Sequence, residues 1–312
     1  MKKLGAFFRL VRWPNLVITA LMMFLVYYNL VGMVSTMGFT LLVISMVLIV
    51  AGGYVINDIF DMDIDEINKP DKLIVGKYFT EKQSNFIYWS LTIIGLACAL
   101  ASSVIMFGKS FLTIFSCMVL LTCILYSYSN GYKKRLVLGN VIVSLSVAFA
   151  VFLPWLFVML YMMQEDMLVE NYDVLMHISL RLVLIYTAFA FLMTLIREIV
   201  KDIQDVKGDG LSHCRTIPII WGVNVAQIIV IALSFVTCFM IWNAAGYFNG
   251  LGFKITYYML YYASGLFVLM VIVNNLMSLI TKSGRTEKQF RMQSMWLKLS
   301  MLIGVLSMFF IK

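Results

Sequence analysis

Two short runs of this chain carry carboxylates at matching intervals. Asn57-Asp58-Ile59-Phe60-Asp61 leads on to Asp65, and Lys201-Asp202-Ile203-Gln204-Asp205 leads on to Asp209. Each set of aspartates stands at i, i+3 and i+7, which is one face of a helix. Like charges stacked on one helical face repel, so an isolated helix is destabilised by them. A bound divalent cation reverses that sign. Hard carboxylate oxygens suit Mg²⁺, which keeps some waters and shares phosphate oxygens. A single acidic run would serve equally well as a solvated helix end. The repeated 3-then-4 spacing favours metal ions around a diphosphate, and the two matching strings suggest a weak internal duplication.

Cations flank the acids. Lys69, Lys72, Lys77, Lys201 and Arg215 lie beside them in sequence, and Lys133, Lys134 and Arg135 come from a loop between. Ammonium and guanidinium groups, with metal, stabilise charge developing on a departing diphosphate. Most of these residues also fit as plain membrane-side anchors; Lys72, Lys201 and Arg215 stand out by their closeness to the acids. A zinc or haem site is not expected: the histidines are His177 and His213, and no CxxC pair occurs.

The elements that must position these groups are apolar. Hydrophobic residues make up 62% of the 312 and charged ones 13%, about half the charge of an average soluble domain. Runs of roughly 20 apolar residues recur along the chain, each long enough to cross a bilayer. The expected spans are 14–35, 38–56, 84–106, 110–129, 136–162, 174–197, 219–243, 256–281 and 293–311. The fold class is therefore an all-α polytopic membrane protein of about nine helices. It forms a single membrane domain over 1–312, with an interfacial segment at 1–13 and Asp-rich loops at 57–83 and 198–218. The opening Met1-Lys2-Lys3 is interrupted by Arg9 and Arg12 before any small-residue cleavage site, so it is expected to be retained.

Lys and Arg fall in alternate loops. One set holds Lys2, Lys3, Arg9 and Arg12, then Lys69 to Lys82, Lys133 to Arg135, Arg197 to Arg215, and Lys282 to Arg291; the other holds Lys109, Lys254 and Lys312. The positive-inside rule then puts the N-terminus and both acidic runs in the cytoplasm, and the C-terminus outside, in a cell (inner) membrane. The net charge of +8 reflects topology and lipid contact, not nucleic-acid binding.

At these residues the chain resembles the UbiA superfamily of intramembrane prenyltransferases. The family's NDxxDxxxD motif stands here as Asn57, Asp58, Asp61 and Asp65, followed by Asn68-Lys69-Pro70-Asp71-Lys72; its DxxxD motif matches Asp205 and Asp209, preceded by Asp202. Arg12-Trp13-Pro14-Asn15, leading into the first span, also looks familial. The resemblance implies helices around a central cavity, with Mg²⁺ as cofactor held by Asn57, Asp58, Asp61, Asp65, Asp202, Asp205 and Asp209. It implies catalytic roles for Asp61, Asp65, Asp205, Asp209, Lys72 and Lys201. The diphosphate would be bound by Asn57, Lys69, Lys72, Lys133, Lys134, Lys201, Arg215 and Tyr128. One departure concerns Tyr128: the family often has a tyrosine four residues before a lysine in this loop. Tyr126-Ser127-Tyr128-Ser129-Asn130-Gly131-Tyr132-Lys133-Lys134 has none, so Tyr128 with Lys133 or Lys134 is the nearest substitute.

The run from Arg197 to Asp209 looks most like members that alkylate a geranylgeranylglyceryl phosphate, so the implied partners are a prenyl diphosphate, a lipophilic acceptor and membrane lipids. No obligate protein partner is expected. Quinone-precursor and haem-forming members share the frame. A CDP-alcohol phosphotransferase would need a DGxxAR run, which this chain lacks. An ion-coupled transporter would place its acids near the bilayer midplane, whereas these stand at span ends.

Overall fold

The computed structural model describes residues 2–31, 36–68, 73–108, 111–164, 172–211, 214–281 and 287–311. Among them the chain is helical, and its β structure is an isolated bridge between Val75 and Phe79. Eight helices are long and apolar enough to cross a membrane; a bent pair over Lys3–Leu10 and Trp13–Asn29 makes a ninth if counted as one span.

The bend has a local cause. α1 (Lys2–Leu10) and α2 (Trp13–Leu25) are separated by Arg12, whose φ of 52° is left-handed, and Pro14 begins α2 with a ring that needs no amide donor. A non-glycine residue in that conformation costs about 1–2 kcal/mol, so it persists only where its side chain is held. α2 runs on into a π-helical turn over Val26–Val31.

The chain packs as two compact units, one of residues 1–133 and 152–180, the other of 134–151 and 181–312. In the first, α3 (Thr36–Phe60) packs along α5 (Glu81–Phe107) and α6 (Leu112–Asn130). Its glycines permit that approach. A Cβ on Gly52 would stand 3.0 Å from Thr92 Oγ1, and one on Gly95 would stand 3.0 Å from Ile49 Cγ1. α5 starts with a full capping box, in which Thr80 and Gln83 satisfy each other's backbone amides. Before it, a turn with Gly76 at φ 85° folds Val75 against Leu10, Val55 and Tyr88.

The second unit contains α9 (Val223–Gly250), α10 (Gly265–Thr281) and α11 (Glu287–Ser307). Burial here is partly polar. Gln227 donates to Ser278 at 3.0 Å, Asn275 to Gln293 at 3.0 Å, and Tyr186 and Ser307 are linked at 2.8 Å. Inside a bilayer, where helices share one apolar solvent, such bonds are what distinguish one helix pairing from another.

Two boundaries differ from the sequence reading. α3 continues through Asn57, and after a single turn residue, Asp61, α4 spans Met62–Asn68. α8 spans Tyr172–Leu211, so residues 198–211 are helix where the sequence suggested a loop. Charge ends a membrane span without ending a helix. Glu198 and Lys201 are one turn apart and pair, and no proline or early glycine interrupts the run.

Candidate active site

The first acidic run is carried on almost continuous helix. Asp61 N–H donates to Asn57 O at 2.9 Å and Asp65 N–H to Asp61 O at 2.8 Å, so helical bonding passes through the break between α3 and α4. That keeps Asp58, Asp61 and Asp65 on one face. Asp61 is 5% exposed. A buried carboxylate needs a partner, and the fold supplies two donors. Asn57 Nδ2 donates to Asp61 Oδ2 at 2.6 Å, and the Lys133 ammonium donates to the same oxygen. Burial alone would lower the pKa of Lys133, but Asp61, with Tyr128 and Asp65 also acting on it, holds the ammonium above its ordinary value.

Asp58 has a different partner. The strained turn at Arg12 brings its guanidinium to Asp58, Nη2 to Oδ1 at 2.8 Å. The same guanidinium stacks over the Tyr54 ring at 4.7 Å, and Tyr54 OH accepts from Asn15 at 3.2 Å. Arg12 and Asn15, at the start of α2, thus brace the first acidic face, both of them held by Tyr54 of α3. The sequence marks Arg12 as a basic loop residue and, with Asn15, as part of a family-like string, without pointing to these contacts. Nothing in the periodicity signalled Tyr54.

The second acidic run lies on one face of α8. Asp202 Oδ2 accepts from Asn140 Nδ2 at 2.8 Å, and Ser144 Oγ in turn donates to Asn140 O at 2.6 Å. Asn140 belongs to α7 (Leu138–Gln164), and as an amide at the start of a long apolar run it is the available sequence signal for this role. Glu198, Asp209 and Lys201 all lie near enough to act on the charge of Asp202. Lys201 donates to both oxygens of Glu198 at 2.8 Å, and Arg197 donates to one at 2.9 Å. Asp209 is 9% exposed, and its carbonyl accepts from Cys214 N–H at 2.9 Å, turning the chain towards Arg215. Arg215 N–H donates to Lys134 O at 2.9 Å, and both of these side chains are exposed.

The structure therefore joins Asn57, Asp61, Asp65, Tyr128 and Lys133 in one cluster, with Asp58 beside it on Arg12. It joins Asp202 and Asp209 in another, with Lys201 turned to Glu198. Asp205 shares the helical face of Asp202. Lys69 and Lys72 lie outside the described residues.

The donor chemistry can be tested against Mg²⁺. Among the described residues no three Asp, Glu, His or Cys side chains converge into a metal cage. Mg²⁺ is commonly held by one or two carboxylates together with substrate phosphates. Helix-borne carboxylates with Asp61 and Asp209 buried fit that mode of binding, and they offer no soft ligand.

Residues 16–300 match the UbiA prenyltransferase family. The chain belongs to that family. UbiA membership makes it a prenyltransferase, and its apolar helices make it a multi-pass integral membrane protein. It is 29% identical to a digeranylgeranylglyceryl phosphate synthase of Saccharolobus solfataricus, over 83% of this chain and 79% of the relative. It is 30% identical to one of Hyperthermus butylicus, over 75% and 73%. Solved structures share the fold. One, of digeranylgeranylglyceryl phosphate synthase in membranes, aligns with a TM-score of 0.64 at 21% identity, over 99% of this chain and 98% of the other. A UbiA homologue from Archaeoglobus fulgidus bound to GPP and Mg²⁺ aligns with a TM-score of 0.53 at 15% identity, over 97% and 99%.

Proposed function

We propose that this UbiA enzyme transfers a geranylgeranyl group from its diphosphate to a geranylgeranylglyceryl phosphate, giving a digeranylgeranylglyceryl phosphate. The carrying observation is the first cluster: Asp58, Asp61 and Asp65 on one helical face, braced by Arg12 and Lys133. The chain's similarity to relatives bearing the corresponding synthase name supports the acceptor.

Asp58, Asp61 and Asp65 in the first run, and Asp202, Asp205 and Asp209 in the second, would hold Mg²⁺ against one diphosphate. The GPP and Mg²⁺ bound in the Archaeoglobus homologue support this choice of ligand. Bound Mg²⁺ would supply charge neutralisation for the departing diphosphate. Asn57 orients Asp61, Asn140 orients Asp202, and Arg12 fixes Asp58 before substrate arrives. Lys133, with Lys134, Lys201 and Arg215, would offer ammonium and guanidinium groups to the phosphate oxygens, and Tyr128 would orient Lys133. Lys69 and Lys72 belong to the same proposed set. Apolar helix faces would hold the chain and exclude water from the allylic centre. The acceptor hydroxyl would then form the new C–O bond as the C–O bond to diphosphate breaks, and its proton would leave to solvent. Basic loops support a cytoplasmic N-terminus and an outward C-terminus.

Purified protein given Mg²⁺, labelled geranylgeranyl diphosphate and a choice of acceptors tests this. The expected product is the doubly alkylated glyceryl phosphate, with diphosphate released in equal amount. Preferential labelling of an aromatic acid or of haem would replace the acceptor. Solute transport into vesicles without diphosphate release would overturn the enzyme reading. Reporters near Lys133 and after Lys312 should give opposite sides.

A further inference from the structure

The first unit carries a groove of about 380 Å³ lined by Lys3, Phe79, Lys82, Gln83, Phe86 and Ile87, none of them a residue of the acidic runs. Two exposed ammonium groups stand over an aromatic wall. Below Lys82, one face of α5 continues as Phe86, Trp89 and Ile93, at 74%, 54% and 62% exposure. These positions are four, seven and eleven residues on from Lys82, so they form a single stripe running down the helix from the lysine. α1 flanks the groove as an amphipathic helix. It buries Ala6 and Leu10 completely while Leu4 and Phe8 stand 63% and 46% exposed. Its Arg9 lies over the ring of Tyr78 at 5.3 Å, which fixes α1 against the turn leading into α5.

We propose that this groove is a binding site for an anionic phospholipid of the surrounding bilayer. Lys3 and Lys82 take the phosphate-bearing headgroup, and the Phe86–Trp89–Ile93 stripe takes one acyl chain. The charge pattern selects this occupant. A cationic or zwitterionic headgroup gains little from two lysines, and a free anion has no use for an apolar stripe continuous with the membrane-facing surface. Juxtamembrane basic groups interact with anionic lipid over short range, and the amphipathic character of α1 favours an interfacial placement that would put Lys3 within it. The site is separate from the residues assigned to diphosphate, so occupancy would anchor α1, and through it the Arg12 turn, without entering the reaction.

Trp89 supplies the probe. The full chain is placed in phosphatidylcholine nanodiscs containing a minor fraction of brominated phosphatidylglycerol or brominated phosphatidylcholine. Trp89 quenching is read as the difference between the parent protein and Trp89→Phe. The expected result is a roughly tenfold preference for the anionic lipid, lost in a Lys3→Gln/Lys82→Gln variant whose turnover in detergent stays within about twofold of the parent. Equal quenching by both lipids, or a preference kept by the double variant, overturns the site. Quenching relieved by inorganic phosphate makes it a free-anion site and overturns it too. A raised acceptor KM for the double variant in phospholipid-free detergent would assign the groove to the substrate, against this proposal.

Discussion

The two acidic runs share their spacing and differ in what neutralises them. Asp58 and Asp61 are met by full cations from far along the chain, Arg12 at 46 residues' separation and Lys133 at 72. Asp202 is met by a neutral amide, Asn140, while the cations nearest in sequence, Arg197 and Lys201, turn to Glu198 on their own helix. Identical spacing therefore does not fix which partner meets a carboxylate. The first run is a tertiary construction whose ion pairs depend on the fold of the first unit. The second is largely built by one helix, with its electrostatics set locally and one amide added from α7.

The largest expected effect tests whether the two runs serve one ligand. Asp61→Ala and Asp205→Ala should each lower kcat at saturating Mg²⁺ by more than about tenfold, and the double variant should be scarcely slower than either single, as for groups acting as a unit. Independent multiplication of the losses would separate the runs into different sites. Calorimetry should show diphosphate binding only with Mg²⁺; binding of equal strength without it would hand the grip to the basic residues.

Next comes the tertiary ion pair. Lys133→Met leaves a buried carboxylate short of its cation and should destabilise the protein by about 1–3 kcal/mol. Lys133→Met combined with Asp61→Asn should recover most of that in a thermal melt. If the single variant melts like the parent, the first run is not held by Lys133. The pH dependence has a definite sign. The pKa of folded Lys133 is raised, so the pair's stabilisation is present below the ordinary lysine range and is lost only as pH rises through the folded value. The parent should therefore lose stability as pH rises through that range, a loss that Lys133→Met does not show.

Smaller effects separate the second run. Asn140→Ala should cost about 1 kcal/mol in stability and raise the Mg²⁺ concentration for half-maximal activity, while Asn140→Asp, which adds a charge beside Asp202, should differ from it in Mg²⁺ dependence. Glu198→Gln is the mildest. It releases Lys201, and the expected change is confined to the KM for prenyl diphosphate; a fall in kcat would mean that Glu198 takes part directly.

The all-α membrane fold was legible because runs of apolar residues have few alternatives once they reach bilayer length. The helical face of each acidic run was legible for the same local reason, since spacing is a property of one element. Partner choice was not. Asn140 and Arg12 reach their carboxylates through tertiary packing, and no periodicity encodes a contact 46 to 62 residues away. The sequence reading ends this span at 197, where charge begins, yet α8 runs on to Leu211. In water just beyond a membrane, a helix with paired charges at one-turn spacing continues.

The joint at Asp61 has a mechanical consequence that insertion scanning would expose. Because hydrogen bonds carry on from Asn57 to Asp65, α4 is geared to α3. One alanine inserted after Asp61 would turn Asp65 by about 100° and carry it off the shared face, whereas four would bring it back to within about 40°. Activity should thus fall and partly return with insertion length, a rhythm that a flexible tether at this point would not produce.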